Sequence, residues 1–459
     1  METSLNALLF ILYGCSFMSG FNENLMNVAL VSIIADFTID TVTAQWLITG
    51  YMIIVTVTVA CMAFLYQRFS LRKLLFIAAG LNSLGSLGGF CANSFIMLLA
   101  SRLVQAVGTG VFIPLMMNVI VDYAPHKKMG MFLSLGSAMI TLGPATAPIL
   151  TGYMVSYLGW HSVFLVPLVF GTLFMALGFF VIPKEKKIAC GGFDLLSVAL
   201  LAIAVTALPT GLSEISANLL AGILELAGAI VLLALFVRRQ NSLEQPLISL
   251  KPMRSSLFWP AVVLVMITMM TYFSLSVVSP LYFEEGVGLD ASMVGTILIF
   301  PVLGNASAAA ISGKVFDRRG PWPLLPIGFF IACAGLALAV AGSFLLCPIT
   351  TTAGIFFGYL GTGAVLSSSQ TSGLKVLPAD LHSHGVALMS TSLQLAACLG
   401  PALYIGIMSA VSQAAEHAGA TPQTASSQGF GVAMIVSCVI VLCGLLLALR
   451  YSRRAKRQR

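Results

Sequence analysis

Polar residues divide the chain into long apolar runs, and the lengths of these runs set its elements. The runs cover approximately 5–31, 44–66, 73–92, 95–121, 130–156, 160–182, 194–213, 217–237, 257–281, 291–314, 323–344, 349–372, 384–411 and 429–450. A helix needs about 20 apolar residues to cross a bilayer, so the pattern predicts fourteen membrane-spanning helices. A barrel is excluded, because its strands would show about ten residues of alternating polarity. Only Ala92, Asn93 and Ser94 separate the third run from the fourth, so hydropathy alone also permits twelve or thirteen spans.

Composition narrows the class and charge settles the count. Hydrophobic residues make up 58% of 459 and charged residues only 8%, against about 25% charged in soluble proteins. That excludes a cytosolic enzyme, a secreted domain, a disordered chain and a nucleic-acid-binding protein. With fourteen helices, one set of alternate loops and the tail holds 22 of the 23 Lys and Arg residues. These run from Arg68, Arg72 and Lys73 through Lys184, Lys186 and Lys187 to Arg450 and Arg459. The other loops hold Asp36, Asp40, Glu214, Glu284, Glu285, Asp290 and Glu416, with no Lys or Arg. Merging or splitting a helix scrambles this partition. The positive-inside rule then places both termini in the cytoplasm, and the +7 net charge reports orientation. The basic tail reads first as a stop-transfer flank, with contact to anionic lipid as the alternative. The opening METSLNALLF has neither a basic n-region nor a cleavage site, so no signal peptide is expected to be removed. The nine cysteines show no metal spacing, and Cys15, Cys61, Cys91, Cys398, Cys438 and Cys443 read as small core residues.

The chain repeats itself. Ala63–Ser70 is similar to Gly313–Gly320 at an offset of 250 residues. Val107-Gly-Thr-Gly110 is similar to Leu360-Gly-Thr-Gly363, and Leu142-Gly143-Pro144 to Leu399-Gly400-Pro401. Three matches in one order at nearly one offset imply two related halves, a transporter design with its substrate site between them. The expected units are residues 1–187 with six helices, 188–256 as an inserted pair with its linker, and 257–459 with six more.

Several motifs now combine. Ala63 to Arg72 and Gly313 to Gly320 follow the pattern G-x-L-a-D-R-x-G-R, with Gln67 at the acidic position of the first copy. Arg102-Leu-Val-Gln105-Ala-Val-Gly108 lies in helix four, and Gly136, Gly143, Pro144, Pro148 and Gly152 punctuate helix five. Phe21 to Leu30, Gln45-Trp46, Tyr51, Trp160 and Phe164 complete the set. Over nearly its whole length the chain resembles the fourteen-helix drug:proton antiporter family of the major facilitator superfamily. The resemblance implies an all-α polytopic membrane protein with the major facilitator fold, arranged 6 + 2 + 6. It also implies that helix five carries an exporter-type motif that seals a leak.

Glu23 is the sharpest candidate for proton coupling. An acid inside a membrane helix is costly and faces water or a partner. Ser16, Gly20, Glu23 and Asn27 share one helix face, which is expected to line the central cavity. The family's usual acid falls instead at Asn22, about 100° of helix away. Arg102 is the one basic residue inside an apolar run, and the resemblance makes it a coupling element toward a nearby carboxylate. Asn24, Met26, Asn27, Gln105, Phe112, Met116, Met270 and Gln394 are candidates for the substrate cavity, with Met266, Met269, Tyr272 and Phe273 beside them. Methionine and aromatic side chains suit varied apolar ligands. Arg68, Arg72, Asp317, Arg318 and Gly320 are the candidate gating loops. Glu225, in the inserted pair, is a further acid at membrane depth.

The expected function is proton-coupled export of small amphipathic or lipophilic compounds by alternating access, read as multidrug efflux. The alternatives are a dedicated exporter of one metabolite or antibiotic, and a transport-inactive sensor or scaffold. No catalytic constellation is visible, so an enzyme is not expected. No cofactor or metal is expected either; His126, His161, His382, His384 and His417 lack ligand spacing. The expected partners are the substrate, protons and the bilayer, with no nucleic acid and a monomeric state. Localisation in a bacterial inner membrane follows from the resemblance.

Overall fold

The structure, a computed structural model, describes residues 2–182, 194–214 and 218–457. Lys184, Lys186, Lys187, Cys190, Arg459 and the 187/188 boundary lie outside the described residues. Fourteen helices among them are long and apolar enough to cross a membrane, and no strand occurs among them. The first six are α1 (Glu2–Phe37), α2 (Thr41–Arg68), α3 (Leu71–Phe90), α4 (Phe95–Tyr123), α5 (Met129–Leu158) and α6 (Leu165–Val181). Next come α7 (Leu195–Glu214) and α8 (Leu219–Ser242). The last six are α9 (Phe258–Leu281), α10 (Ala291–Arg319), α11 (Leu324–Phe344), α12 (Pro348–Leu374), α13 (His382–His417) and α14 (Pro422–Arg457).

Each apolar run became one helix, but several helices outrun their apolar segment. α1, α13 and α14 each have 36 residues, about 54 Å at 1.5 Å per residue. The hydrocarbon core is only about 30 Å thick, so their polar ends stand beyond it. The tight turn at Ala92 to Ser94 does separate two helices: the Ser94 side chain accepts from Met97 N at 3.3 Å and caps α4. α5 continues through Pro144 and Pro148.

Glycines set the closest helix crossings, and they do so in pairs. A Cβ on Gly110 would fall 2.8 Å from Thr58 Cβ of α2, and one on Gly363 2.2 Å from Asn305 O of α10. A Cβ on Gly143 would meet Phe17 O of α1 at 2.4 Å, and one on Gly400 would meet Met270 O of α9 at 2.6 Å. So α4 packs on α2 as α12 packs on α10, and α5 on α1 as α13 on α9. Pro144 lacks an N–H, which leaves the Ile140 carbonyl without its i+4 donor. That carbonyl lies 2.6 Å from where a Gly20 Cβ would sit. Replacing Gly143 with Leu should therefore overpack α1 against α5, at about 3 kcal/mol or more. In detergent, a clear fall in melting temperature is expected. Gly152→Leu, where a Cβ meets nothing within 4 Å, should leave it nearly unchanged. Gly152 is thus no close-approach point, unlike Gly143 on the same helix.

The α7–α8 pair packs on both α2 and α13. Leu201, Val205 and Phe236 cluster with Ala60 and Ala63 of α2 and Ala387 of α13. Arg239 grips Asp194 with a two-pronged contact at 2.8 and 2.9 Å, and these bonds hold the Asp194 carboxyl down at about 2. Cys15 and Cys61 are core residues, but Cys91, in the turn that ends α3, and Cys443, on α14, are exposed. In helices apolar on every side, a lipid-facing position and a core position look alike in sequence.

Candidate functional site

Glu23 lies in the middle of α1 with only 5% of its surface exposed. Its Oε1 accepts a hydrogen bond from Gln394 Nε2 of α13 at 3.3 Å. The bond spans 371 residues and joins the first six helices to the last six. The Glu23 face of α1 becomes progressively more exposed toward the end that carries the acidic loops. Gly20 and Glu23 are buried, Asn24 is half-buried, and Asn27, Val31 and Ala35 are exposed. Asn27 Nδ2 donates to Asn24 Oδ1 at 3.0 Å along this face. The expected polar stripe is split. Ser16 turns to Met116 Sδ of α4 and Gly20 is packed on α5, so neither lines an open space.

Asn22 faces another way. Its Nδ2 donates to Asn82 Oδ1 at 2.9 Å, and Asn82 Nδ2 donates to Pro167 O at 3.0 Å. This ladder ties α1 to α3 and α6. The family position and Glu23 therefore serve different sides of α1.

Arg102 is fully buried in α4, so its cation does not snorkel to water. One guanidinium nitrogen donates to Gln105 Oε1 at 2.5 Å and the other to the Asn22 carbonyl at 3.2 Å. The guanidinium stacks on the Tyr51 ring at 3.9 Å. No carboxylate lies within 4.0 Å of it among the described residues. It thus holds the backbone beside Glu23 without touching the acid. Gln105 donates to Ser86 Oγ at 2.9 Å and belongs to this internal network, not to an open cavity.

The opposite end, which carries the basic loops, is closed. Asp317, near the end of α10, accepts from Gly130 N at 2.9 Å and Met131 N at 2.8 Å. These are first-turn donors of α5, whose N-cap residue Lys128 makes no side-chain cap. An acidic residue of one six-helix set thus caps a helix of the other, where the helix dipole favours it. Lys375 Nζ holds the same carboxylate at 3.2 Å. Gln67, the repeat partner of Asp317, donates to Ser383 Oγ at 2.9 Å and lies 3.1 Å from His384 Nε2 at the start of α13. Each set thus closes on the other through the same element pair. Between the two ends, Ser137 Oγ donates to Gln370 Oε1 at 3.1 Å and Tyr272 OH to Thr141 O at 2.8 Å.

Gly320 ends α10 with φ of 75°, a conformation that favours glycine. Arg72 donates to Phe179 O at 3.1 Å and Arg68 covers the Phe64 ring at 4.6 Å. Arg318 is exposed. Charge-assisted bonds exceed neutral ones, so Gln67→Glu should strengthen this closure about ten-fold in population. It should slow labelling of a cysteine introduced at the basic end, and Ser383→Ala in the same chain should cancel the gain.

Of the proposed cavity residues, Met26, Phe112 and Met116 are packed in the core. Met116 also fills the space beside Gly136. Met270 is half-buried. Glu225 is exposed on α8 beside Gly211 of α7, away from the Glu23–Gln394 bond. Sequence reasoning missed Ser137, Gln370, Ser383 and Tyr51 as structural partners. The polar run Ser367-Ser-Ser-Gln370-Thr-Ser inside an apolar helix was the available signal for Gln370.

Comparison with known proteins agrees with this architecture. The Major Facilitator Superfamily profile matches residues 12–401. The chain is 30% identical over 449 residues to the lincomycin resistance protein LmrB of Listeria monocytogenes, covering 94% of each. It is 26% identical over 437 residues to the multidrug resistance protein B homolog of Mycobacterium tuberculosis, covering 91% of this chain and 80% of that one. Among solved structures, a proton:xylose symporter bound to 6-bromo-6-deoxy-D-glucose superposes with a TM-score of 0.67 at 13% identity, covering 95% of each chain. With that profile match and helices that close on each other in repeat pairs, the chain belongs to the major facilitator superfamily and is a multi-pass membrane transporter, not an enzyme.

Proposed function

We propose that this transporter is a proton-coupled exporter of small amphipathic or lipophilic compounds. The observation that carries the reading is the Glu23–Gln394 bond. It places one titratable group at the junction of the two six-helix sets, at the foot of the face exposed toward the acidic end. Residues 1–187 and 257–459 are the halves that move, and 188–256 is an insertion riding on α2 and α13. With both termini cytoplasmic, the conformation is outward-facing.

A proton enters past Asn27 and Asn24 and neutralises Glu23. The charged carboxylate can only accept from the Gln394 amide; the protonated acid can donate to the amide oxygen. Proton and substrate then compete by favouring different states, which is the thermodynamic requirement for exchange. Arg102 keeps the α1 backbone fixed while this occurs.

The names of the similar proteins, lincomycin resistance and multidrug resistance, point to antibiotics and other drugs as substrates. The test is expression in a pump-deficient bacterial host challenged with lincosamides, lipophilic cations and neutral dyes. Raised tolerance to several unrelated compounds is expected. Tolerance to one compound alone would replace the multidrug reading with a dedicated exporter.

A further inference from the structure

A cavity of about 210 Å³ lies at the basic end between α9 and α14, away from the junction of the halves. It is lined by Ser256, Trp259, Pro260, Leu447, Arg450, Tyr451 and Arg454. Leu447, Arg450 and Arg454 lie on one face of α14, at spacings of three and four residues. Both arginines are exposed, and no salt bridge among the described residues involves them. Tyr451 is buried, with its hydroxyl bonded to Ser372 at 2.5 Å. Opposite stands the start of α9, whose Phe258 and Trp259 N–H groups donate to the Ser255 carbonyl. Trp259 is 41% exposed in its first turn.

Depth identifies the occupant. The apolar part of α14 ends at Leu449, and basic residues begin at Arg450. The cavity therefore sits where hydrocarbon meets water, the level at which exposed tryptophan is enriched. Two guanidinium forks match the paired oxygens of a phosphate diester. Leu447 and Pro260 continue the lining with apolar surface. We propose that this cavity is a binding site for one anionic phospholipid. The phosphate lies between Arg450, Arg454 and Ser256, the glycerol region against Trp259, and an acyl chain descends between α9 and α14.

The test is retention of phosphatidylglycerol by the purified full chain, read by native mass spectrometry during delipidation. A second readout is the melting temperature with phosphatidylglycerol against phosphatidylcholine. The wild type should retain one phosphatidylglycerol and be stabilised by it alone. Arg450→Gln with Arg454→Gln should weaken retention about ten-fold, since each basic residue at a membrane surface contributes to anionic-lipid attraction. Arg453→Gln with Lys456→Gln removes the same charge from outside the cavity and should leave retention unchanged. Trp259→Leu, which keeps every charge, should weaken retention and covers the case of a double variant that fails to fold. Equal losses from the two charge-removing pairs would overturn the proposal in favour of a diffuse basic tail. Equal protection by glycerol 3-phosphate would overturn it in favour of a soluble phosphate ligand.

Discussion

Replacement of Glu23 by Gln is expected to abolish substrate-driven proton movement while leaving the fold and substrate binding intact. Glutamine keeps the size of the side chain and can still bond to the Gln394 amide, so the junction between the halves persists. It has no proton to load. Coupling free energies between sites correspond to affinity ratios of up to roughly 100-fold, and that ratio should fall to one. Exchange of labelled for unlabelled substrate should continue, because the variant mimics the protonated state. The check is to measure proton flux and exchange on the same proteoliposomes. Persistence of full coupling would move the proton site away from Glu23. Asn22→Asp is the informative companion. It puts an acid into the Asn82–Pro167 ladder, on a different side of α1, and should not restore coupling to Glu23→Gln.

The second large effect is expected at Asp317. Its carboxylate caps two first-turn donors of α5 and pairs with Lys375. A helix cap contributes about 1 kcal/mol, and charge-assisted bonds about twice a neutral one. The three contacts together amount to about 3 kcal/mol, a shift of roughly 100-fold between states. Asp317→Ala should release the basic end, and a cysteine introduced at Ser134 should then label much faster. Asp317→Asn keeps one acceptor and loses the charge, so it should fall between. An unchanged labelling rate in Asp317→Ala would mean that this cap does not hold the gate.

The fold was legible because a bilayer admits few solutions. Uninterrupted apolar runs fix the helices, and the strict partition of basic and acidic loops fixes their number. Three short matches at offsets near 250 residues anticipated shared packing, and Gly110 with Gly363 and Gly143 with Gly400 meet the same partner helices in each set. The site was less legible. Glu23 and Arg102 stood out as charges inside apolar runs, but nothing local indicates that Glu23 pairs with Gln394, far along the chain. Nor does spacing show that Arg102 binds the Asn22 carbonyl instead of an acid. Polar residues in a uniformly apolar helix announce that they need partners, while the partner is set by how the helices rotate against each other. The same limit applies to Met26, Phe112 and Met116: adaptable side chains suit both a substrate cavity and a packed core, and sequence does not separate the two.

The central claim is that a proton gradient drives substrate movement. Its most direct test is uptake of a labelled lipophilic cation into proteoliposomes holding wild-type protein and an imposed pH gradient, acid inside. The account predicts accumulation above the outside concentration that collapses when nigericin abolishes the gradient. Accumulation that survives nigericin, or equilibration without accumulation while the gradient stands, would contradict it.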